Sequence, residues 1–249
     1  MDMKWSFQLY SARNFQPWSG VLSQIAEAGY TQVEGFGGVY ADPAALRAAL
    51  DHAGLTMPSG HFSLAMLEND LEGALRVART VGMTMIICPH LAAELRPRDA
   101  AGWRGFAERL ARVGAAVSAQ GQAFAWHNHG FEFATLPDGS TPMEHILAAA
   151  PDIGWEIDVA WVIRAGGDPR TWIDREARRI VAVHVKDIAG PGQGAGEDGW
   201  ADVGHGTVDW PGIMTQLRGS AARLYVMEHD NPADLERFAR RSIEAARAF

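Results

Sequence analysis

The chain has 249 residues, 47% of them hydrophobic and 21% charged, which suits one large or two small globular domains and excludes bulk disorder. Lys and Arg number 22 against 30 Asp and Glu, a net charge of −8 that argues against phosphate backbones and anionic membranes as main partners. The one cysteine, Cys88, excludes an internal disulfide framework and any cysteine-rich zinc module.

Short apolar or β-branched runs alternate with Ala/Leu/Arg-rich helical stretches from end to end. The first half predicts strands at Trp5–Tyr10, Gln32–Phe36, Thr56–Phe62 and Met83–Pro89, followed in turn by helices at Val21–Ala28, Pro43–Ala53, Leu67–Val81 and Ala100–Gln120. The second half predicts strands at Ala123–His127, Gly154–Asp158, Val181–Lys186 and Leu224–Glu228, with helices at Pro142–Ala149, Arg170–Arg178, Pro211–Leu217 and Asp234–Ala248. Asp42-Pro43, Thr141-Pro142 and Asp209-Trp210-Pro211 place a capping side chain ahead of a proline whose fixed φ suits a first helical turn. Gly29, Gly54 and Gly82 supply left-handed caps at helix ends. Eight strands, each followed by a helix, are what an α/β (β/α)8 TIM barrel requires, and a doubly wound sheet usually needs fewer. The expectation is therefore one barrel domain over residues 1–249.

Two connections break this rhythm. Phe131–Thr141 and Ile188–Gly206 are too long and too rich in Gly and Pro for tight turns, and the run Gly190–Gly196 reads as mobile. Both follow strands, on the face where barrel loops build sites or lids. No apolar run approaches ~20 residues and the first ten carry no signal-peptide core, so a cytoplasmic location is expected.

Polar residues gather where such a fold keeps its chemistry. The strand ends carry Glu34, His61, His90, the group His127-Asn128-His129 with Glu132, then Asp158, His184 with Lys186 and Asp187, and Glu228-His229-Asp230. Apolar residues precede them, as in Val181-Ala-Val before His184. Carboxylates and imidazoles converging on one point, without thiolate, suit one divalent ion: Mn²⁺, Co²⁺, Mg²⁺ or Zn²⁺. Alternation along strands puts His184 and Lys186 on one face of their strand, as it does Glu156 and Asp158, and His127 and His129, on theirs. Charge is easiest to accommodate near the mouth, which favours Asp158 over Glu156 as a ligand. His52 and His145 fall in helices and read as surface residues; His205, in Val203-Gly-His-Gly206, reads as a loop residue open to a lid role.

At these residues the chain resembles the sugar phosphate isomerase/epimerase family of xylose-isomerase-like TIM barrels, which includes ketose 3-epimerases and inosose dehydratases. The resemblance runs through Gln8–Arg13, Gly29–Glu34, Trp126-His-Asn-His-Gly-Phe-Glu-Phe133, Asp158 with Trp161, His184-Val-Lys-Asp187, Val203–Trp210 and Val226-Met-Glu-His-Asp230. It implies one divalent metal held by Glu, Asp, His and Glu from successive strand ends. Asp158, His184 and Glu228 match three of those positions, and Glu132 is the choice for the remaining one, with His127 or His129 as its substitute. The departure at strand five matters, because ketose epimerases use the glutamate there as an acid/base group. By resemblance Glu228 and His129 are the acid/base candidates, Lys186 binds substrate oxygens, and His61, His127 and Trp161 contact the substrate.

The implied activity is metal-dependent isomerisation or epimerisation of a keto-sugar or related polyol through an enediolate. A dehydratase or lyase acting on a keto-inositol or 3-keto-glycoside is the alternative, and a non-catalytic sugar-binding barrel a second one. A relative of apurinic endonucleases would need basic DNA-gripping loops, which the acidic balance opposes. The expected partner is thus a small sugar or polyol, with no nucleic acid and no membrane. The residues leave homo-oligomerisation open.

Overall fold

The computed structural model describes residues 4–249. Eight parallel strands close a barrel in which each strand lies beside its sequence neighbours: β1 (Trp5–Gln8), β2 (Gln32–Gly35), β3 (Thr56–His61), β4 (Met85–Cys88), β5 (Ala123–His127), β6 (Gly154–Asp158), β7 (Ile180–Val185) and β8 (Leu224–Met227). β8 pairs back onto β1, so the sheet has no free edge. Helices wrap the outside and bury one apolar face each. The last, Leu235–Ala246, turns Leu235, Phe238, Ala239 and Ile243 inward at helical spacing, and Phe238 meets Phe7 of β1 at 5.4 Å between ring centroids. Among the described residues, no helix is long and apolar enough to cross a membrane.

Three local features differ from the sequence pattern, each for a physical reason. The expected helix over 67–81 is two helices, Leu64–Asn69 and Leu71–Val81. Asp70 sits between them and accepts from the Gly73 amide, so a side chain that caps well and propagates poorly restarts the helix. A helix at Val159–Arg164 has no counterpart in the expected elements, because Val159, Val162 and Ile163 read as β-branched; Asp158 caps it by accepting from the Trp161 amide at 2.9 Å. In the 188–206 connection, Asp187–Ile188 pairs antiparallel with Trp200–Ala201, and Gly192, Gly194 and Gly199 take the positive φ that folds the loop back on itself.

Strand register decides which polar side chains meet. Gln8 lies opposite Glu34, Glu34 opposite Ser59, His127 opposite Glu156, and Asp158 opposite His184. One carboxylate gathers four backbone amides on either side of the long loop after β7. Asp187 is fully buried; Oδ1 accepts from the Ile188 and Val208 amides at 2.8 and 3.0 Å, and Oδ2 from those of Gly204 and Gly206 at 2.9 and 3.2 Å. Removing that carboxylate strands four amides. Asp187→Ala should therefore destabilise the protein by roughly 2–4 kcal/mol and strip hydrogen-exchange protection from 204–208 while the barrel strands keep theirs. Unchanged exchange in 204–208 would refute the anchor.

Candidate active site

The C-terminal mouth of the barrel holds a continuous acid–imidazole network. Glu34 is fully buried and accepts from Gln8 Nε2 at 2.8 Å and from the Ser59 hydroxyl. From neighbouring strands and across the barrel, His61 Nε2 and His184 Nε2 reach Glu34 Oε1 at 3.0 and 2.8 Å. Glu156 Oε2 meets His61 Nε2 at 2.8 Å, His127 Nδ1 at 3.0 Å and His184 Nε2 at 3.3 Å. The other nitrogen of His184, Nδ1, faces Glu228 Oε2 at 2.9 Å. Buried ionisable groups persist only when paired, and each of these is.

The protonation states follow from the pairing. Burial pushes Glu34 up, but His61 and His184 outweigh it and hold the carboxyl well below its usual range. Burial pulls His61 down, yet Glu34 and Glu156 lift it to about 9; His184 is raised in the same way by Glu156 and Glu228. Glu156 moves the other way, to about 7, pushed by burial and the Glu34 charge.

One layer nearer solvent stands Lys186, fully buried and cationic despite it. Its Nζ lies 2.6 Å from Asp230, 3.3 Å from Glu228 Oε2 and 3.9 Å from Asp158 Oδ2, and 4.0 Å from the centroid of the Trp200 ring. Burial disfavours its charge, but Asp230, Glu228 and Asp158 more than compensate. Asp158 is raised to about 7, first by burial, although Lys186 opposes the shift. Asn128 fastens β5 to β6 here: its Oδ1 accepts from Trp155 Nε1 at 2.9 Å and from the Asp158 amide at 3.0 Å.

Two donor sets within this cluster are close enough for a metal ion. One is Asp158, His184 and Glu228; the other, deeper, is His61, His127, Glu156 and His184; within each, the ligand atoms lie within 4.8 Å of one another. They share His184, whose two nitrogens face opposite ways. Binding through either one leaves the other to be oriented by a carboxylate, the usual outer partner of a metal-bound histidine. Each set contains a buried oxygen with no hydrogen-bond partner, Asp158 Oδ2 in the shallower and Glu156 Oε1 in the deeper, the kind of atom a cation would satisfy.

Above the floor opens a cavity of about 650 Å³. His61, His127, His129, Trp161 and Glu228 all line it, so the structure brings the expected contact and acid/base residues to one space, with Asp158, His184 and Lys186 directly beneath. Glu132 stands apart from both donor sets. Its carboxylate accepts from Trp126 Nε1 at 3.2 Å and from the His129 amide at 3.0 Å, holding the 129–133 turn, and burial raises it to about 8. Burial and Lys186 press His129 down to about 3, which keeps its imidazole neutral. Glu156 belongs to the deeper layer, two residues below Asp158. His205 is exposed and lines a separate surface depression with Asp202 and Arg237. Glu34 and its partners Gln8 and Ser59 complete the site; Glu34 is marked by its place at a strand end and Gln8 by the Gln8–Arg13 resemblance, whereas Ser59 is a neutral residue with no local mark.

A family model described as xylose isomerase-like TIM barrel matches residues 22–249. Among curated proteins the chain is similar to the rhizopine catabolism protein MocC of Rhizobium meliloti, with 25% identity across 85% of this chain and 74% of that protein. Among solved structures it is similar to a sugar phosphate isomerase/epimerase from Parabacteroides distasonis, with TM-score 0.83, 20% identity, and coverage of 100% of this chain and 95% of that one. It is also similar to the 3-keto-D-glucoside 4-epimerase YcjR of E. coli, with TM-score 0.73 and 17% identity over the whole of both chains.

The shared histidine yields a direct test of whether an ion binds and at which donor set. His184→Ala and Asp158→Asn should each weaken Mn²⁺ or Zn²⁺ binding by more than the ~10–100-fold that changes to outer partners cost. Glu156→Gln and Glu132→Gln should keep about one ion per chain by elemental analysis. Loss of the ion in Glu156→Gln, with retention in Asp158→Asn, would move the metal to the deeper set.

Proposed function

The chain belongs to the xylose isomerase-like TIM barrel family, and from that premise we propose that it is a divalent-metal-dependent isomerase or epimerase of a keto-sugar or related polyol. The observation that carries this reading is the convergence of Asp158, His184 and Glu228 donor atoms beneath a cavity that His61, His129 and Glu228 also line. An ion held by Asp158, His184 and Glu228 would supply Lewis acidity toward a substrate carbonyl.

The side chains supply the rest. Burial opposes the charge on Glu228, but Lys186 and His184 keep it deprotonated, as a base at the cavity floor requires. In this reading Glu228 takes the proton α to the carbonyl and the electron pair passes to the carbonyl oxygen. His129, neutral, donates a hydrogen bond to that oxygen as charge develops, and Lys186 balances it from below. His61, the imidazolium on the floor, is the group with a proton to give back at the carbon. Trp161 forms a wall for the sugar ring, and its face lies 5.1 Å from Lys186 Nζ.

A dehydratase or lyase is the second reading, favoured by one observation: β5 ends in His127, bonded to Glu156, where a two-carboxylate epimerase would place an acid/base glutamate. Both reactions begin with the same proton abstraction and differ in what leaves.

Incubating the protein with Mn²⁺ and a panel of keto-sugars in D₂O tests the proposal. Deuterium should enter the carbon next to the carbonyl, chelator should stop it, and restored Mn²⁺ should revive it. Glu228→Gln should cut the rate by roughly 10²–10⁴-fold. Release of water or aglycone from the same substrates would select the lyase reading. Ligand-induced stabilisation with no exchange and no turnover would leave a sugar-binding barrel instead.

A further inference from the structure

The cavity is chemically two-sided. Its floor carries His61, His127, His129, Glu228 and Asp230, whereas the opposite end is walled by Tyr10, Phe36, Tyr40, Phe62, Met66 and Pro89. Among the described residues, no Asp, Glu, Lys or Arg side chain lines that second end; Ser63 and His90 are the polar residues beside it. Its rings form a built surface rather than a chance scatter. Tyr40 stacks on Phe62 with centroids 4.7 Å apart and planes 20° from parallel. Tyr10 stands edge-on to Phe36 at 5.5 Å, and Trp18 backs Phe36 at 6.1 Å. The Tyr40 ring is seated by its hydroxyl end, which is buried on the outer face of β2 and β3 where Gly35 and Gly60 leave room: a Cβ at either position would collide with the hydroxyl.

A monosaccharide fills a minor part of 650 Å³, a volume typical of sites for drug-sized ligands. Its hydroxyls and carbonyl would find carboxylates and imidazoles at the floor, whereas the ring-lined end is mostly apolar surface with Ser63 and His90 at its edge. Tyr10 is 38% exposed at the rim, one of two large hydrophobics left so among the described residues, and Phe36 and Met66 are half-buried beside it. An apolar surface of this kind opening directly onto a polar floor is what a ligand with one polar and one apolar half would cover.

The geometry points to a substrate that is a glycoside with an aromatic aglycone, its sugar on the acid–imidazole floor and its aryl group between Tyr10, Phe36, Tyr40, Phe62 and Met66. This rests on the sugar-carbonyl reading above and narrows it from a free sugar or polyol to an aryl glycoside. Phe36 and Tyr10 are then specificity-determining residues, since they touch the aglycone and none of the reacting atoms.

The test compares methyl and phenyl 3-keto-β-D-glucopyranoside by calorimetry on the metal-loaded protein, with deuterium exchange followed in parallel. The phenyl glycoside should bind about tenfold tighter or more, the gain expected from burying one aromatic ring. Phe36→Ala should remove most of that preference and leave the methyl glycoside within about twofold of wild type; Tyr10→Ala should reduce it partly. Equal binding of the two glycosides to wild type, or a preference that survives both substitutions, overturns the aglycone assignment while exchange on the methyl compound leaves the epimerase reading standing. Failure of both glycosides to bind overturns the sugar reading and this one together. Melting curves of the variants separate a lost contact from a lost fold, and Phe36→Leu, which keeps apolar volume without the ring, should restore part of the preference.

Discussion

The constraint on which the site depends is the double commitment of one imidazole. His184 is fully buried with Nδ1 on Glu228 and Nε2 between Glu34 and Glu156, so its orientation is fixed from both sides. Three carboxylates in a barrel interior would repel one another and pay heavily for lost hydration; interleaved with His184 and His61 they become a network in which each charge has an opposite neighbour. That interleaving needs residues from strands β2, β3, β6, β7 and β8 to end at matching heights, which only a closed barrel of fixed register supplies. The fold and the site are therefore one problem: a one-residue slip in any of these strands would turn a partner outward and leave a buried charge unpaired.

The same logic explains what could be read from the residues alone. Runs such as Val181-Ala-Val before His184, or Tyr225-Val-Met before Glu228, mark both a buried strand and the point where it meets the mouth, so strand ends and polar positions were legible together. Depth was not. Glu156 and Asp158 share a face in any strand reading, but the layer each occupies depends on His61, His127 and His184 arriving from other strands to accept Glu156 deep inside. Glu132 shows the complementary difficulty. Its place in His127-Asn-His-Gly-Phe-Glu132 invites a ligand role, yet the short helical turn at Phe131–Phe133 swings the carboxylate back onto Trp126 Nε1 and the His129 amide. A motif fixes which residues are near in sequence, while a turn of three residues decides which way one of them faces.

Polar and apolar ends of the cavity also have different structural origins. The floor is made by side chains at or just past the strand ends, held by register and by each other. The aromatic end is made by residues of the βα connections after β1, β2 and β3, where Tyr10, Phe36, Tyr40, Phe62 and Met66 lie, and it is held by ring packing and by the room left at Gly35 and Gly60. Connections can change without disturbing strand register, so the surface that selects a substrate can vary while the surface that does chemistry stays constant.

Lys186 completes the electrostatic argument. Its ammonium stands among Asp230, Glu228 and Asp158, so part of the negative charge that would attract a dication is already balanced before any ion arrives. His184, donating from both nitrogens, balances more. An ion coordinated by His184 must displace a proton from it, and one coordinated by Asp158 must compete with the proton that burial favours there at about 7. Metal entry and proton release would thereby be linked in one network, and the hold on an ion would strengthen as pH rises. Lys186 keeps its charge throughout, stationed beside Trp200 and beneath the cavity; in the proposed reaction that fixed positive charge would face the substrate oxygen that turns negative.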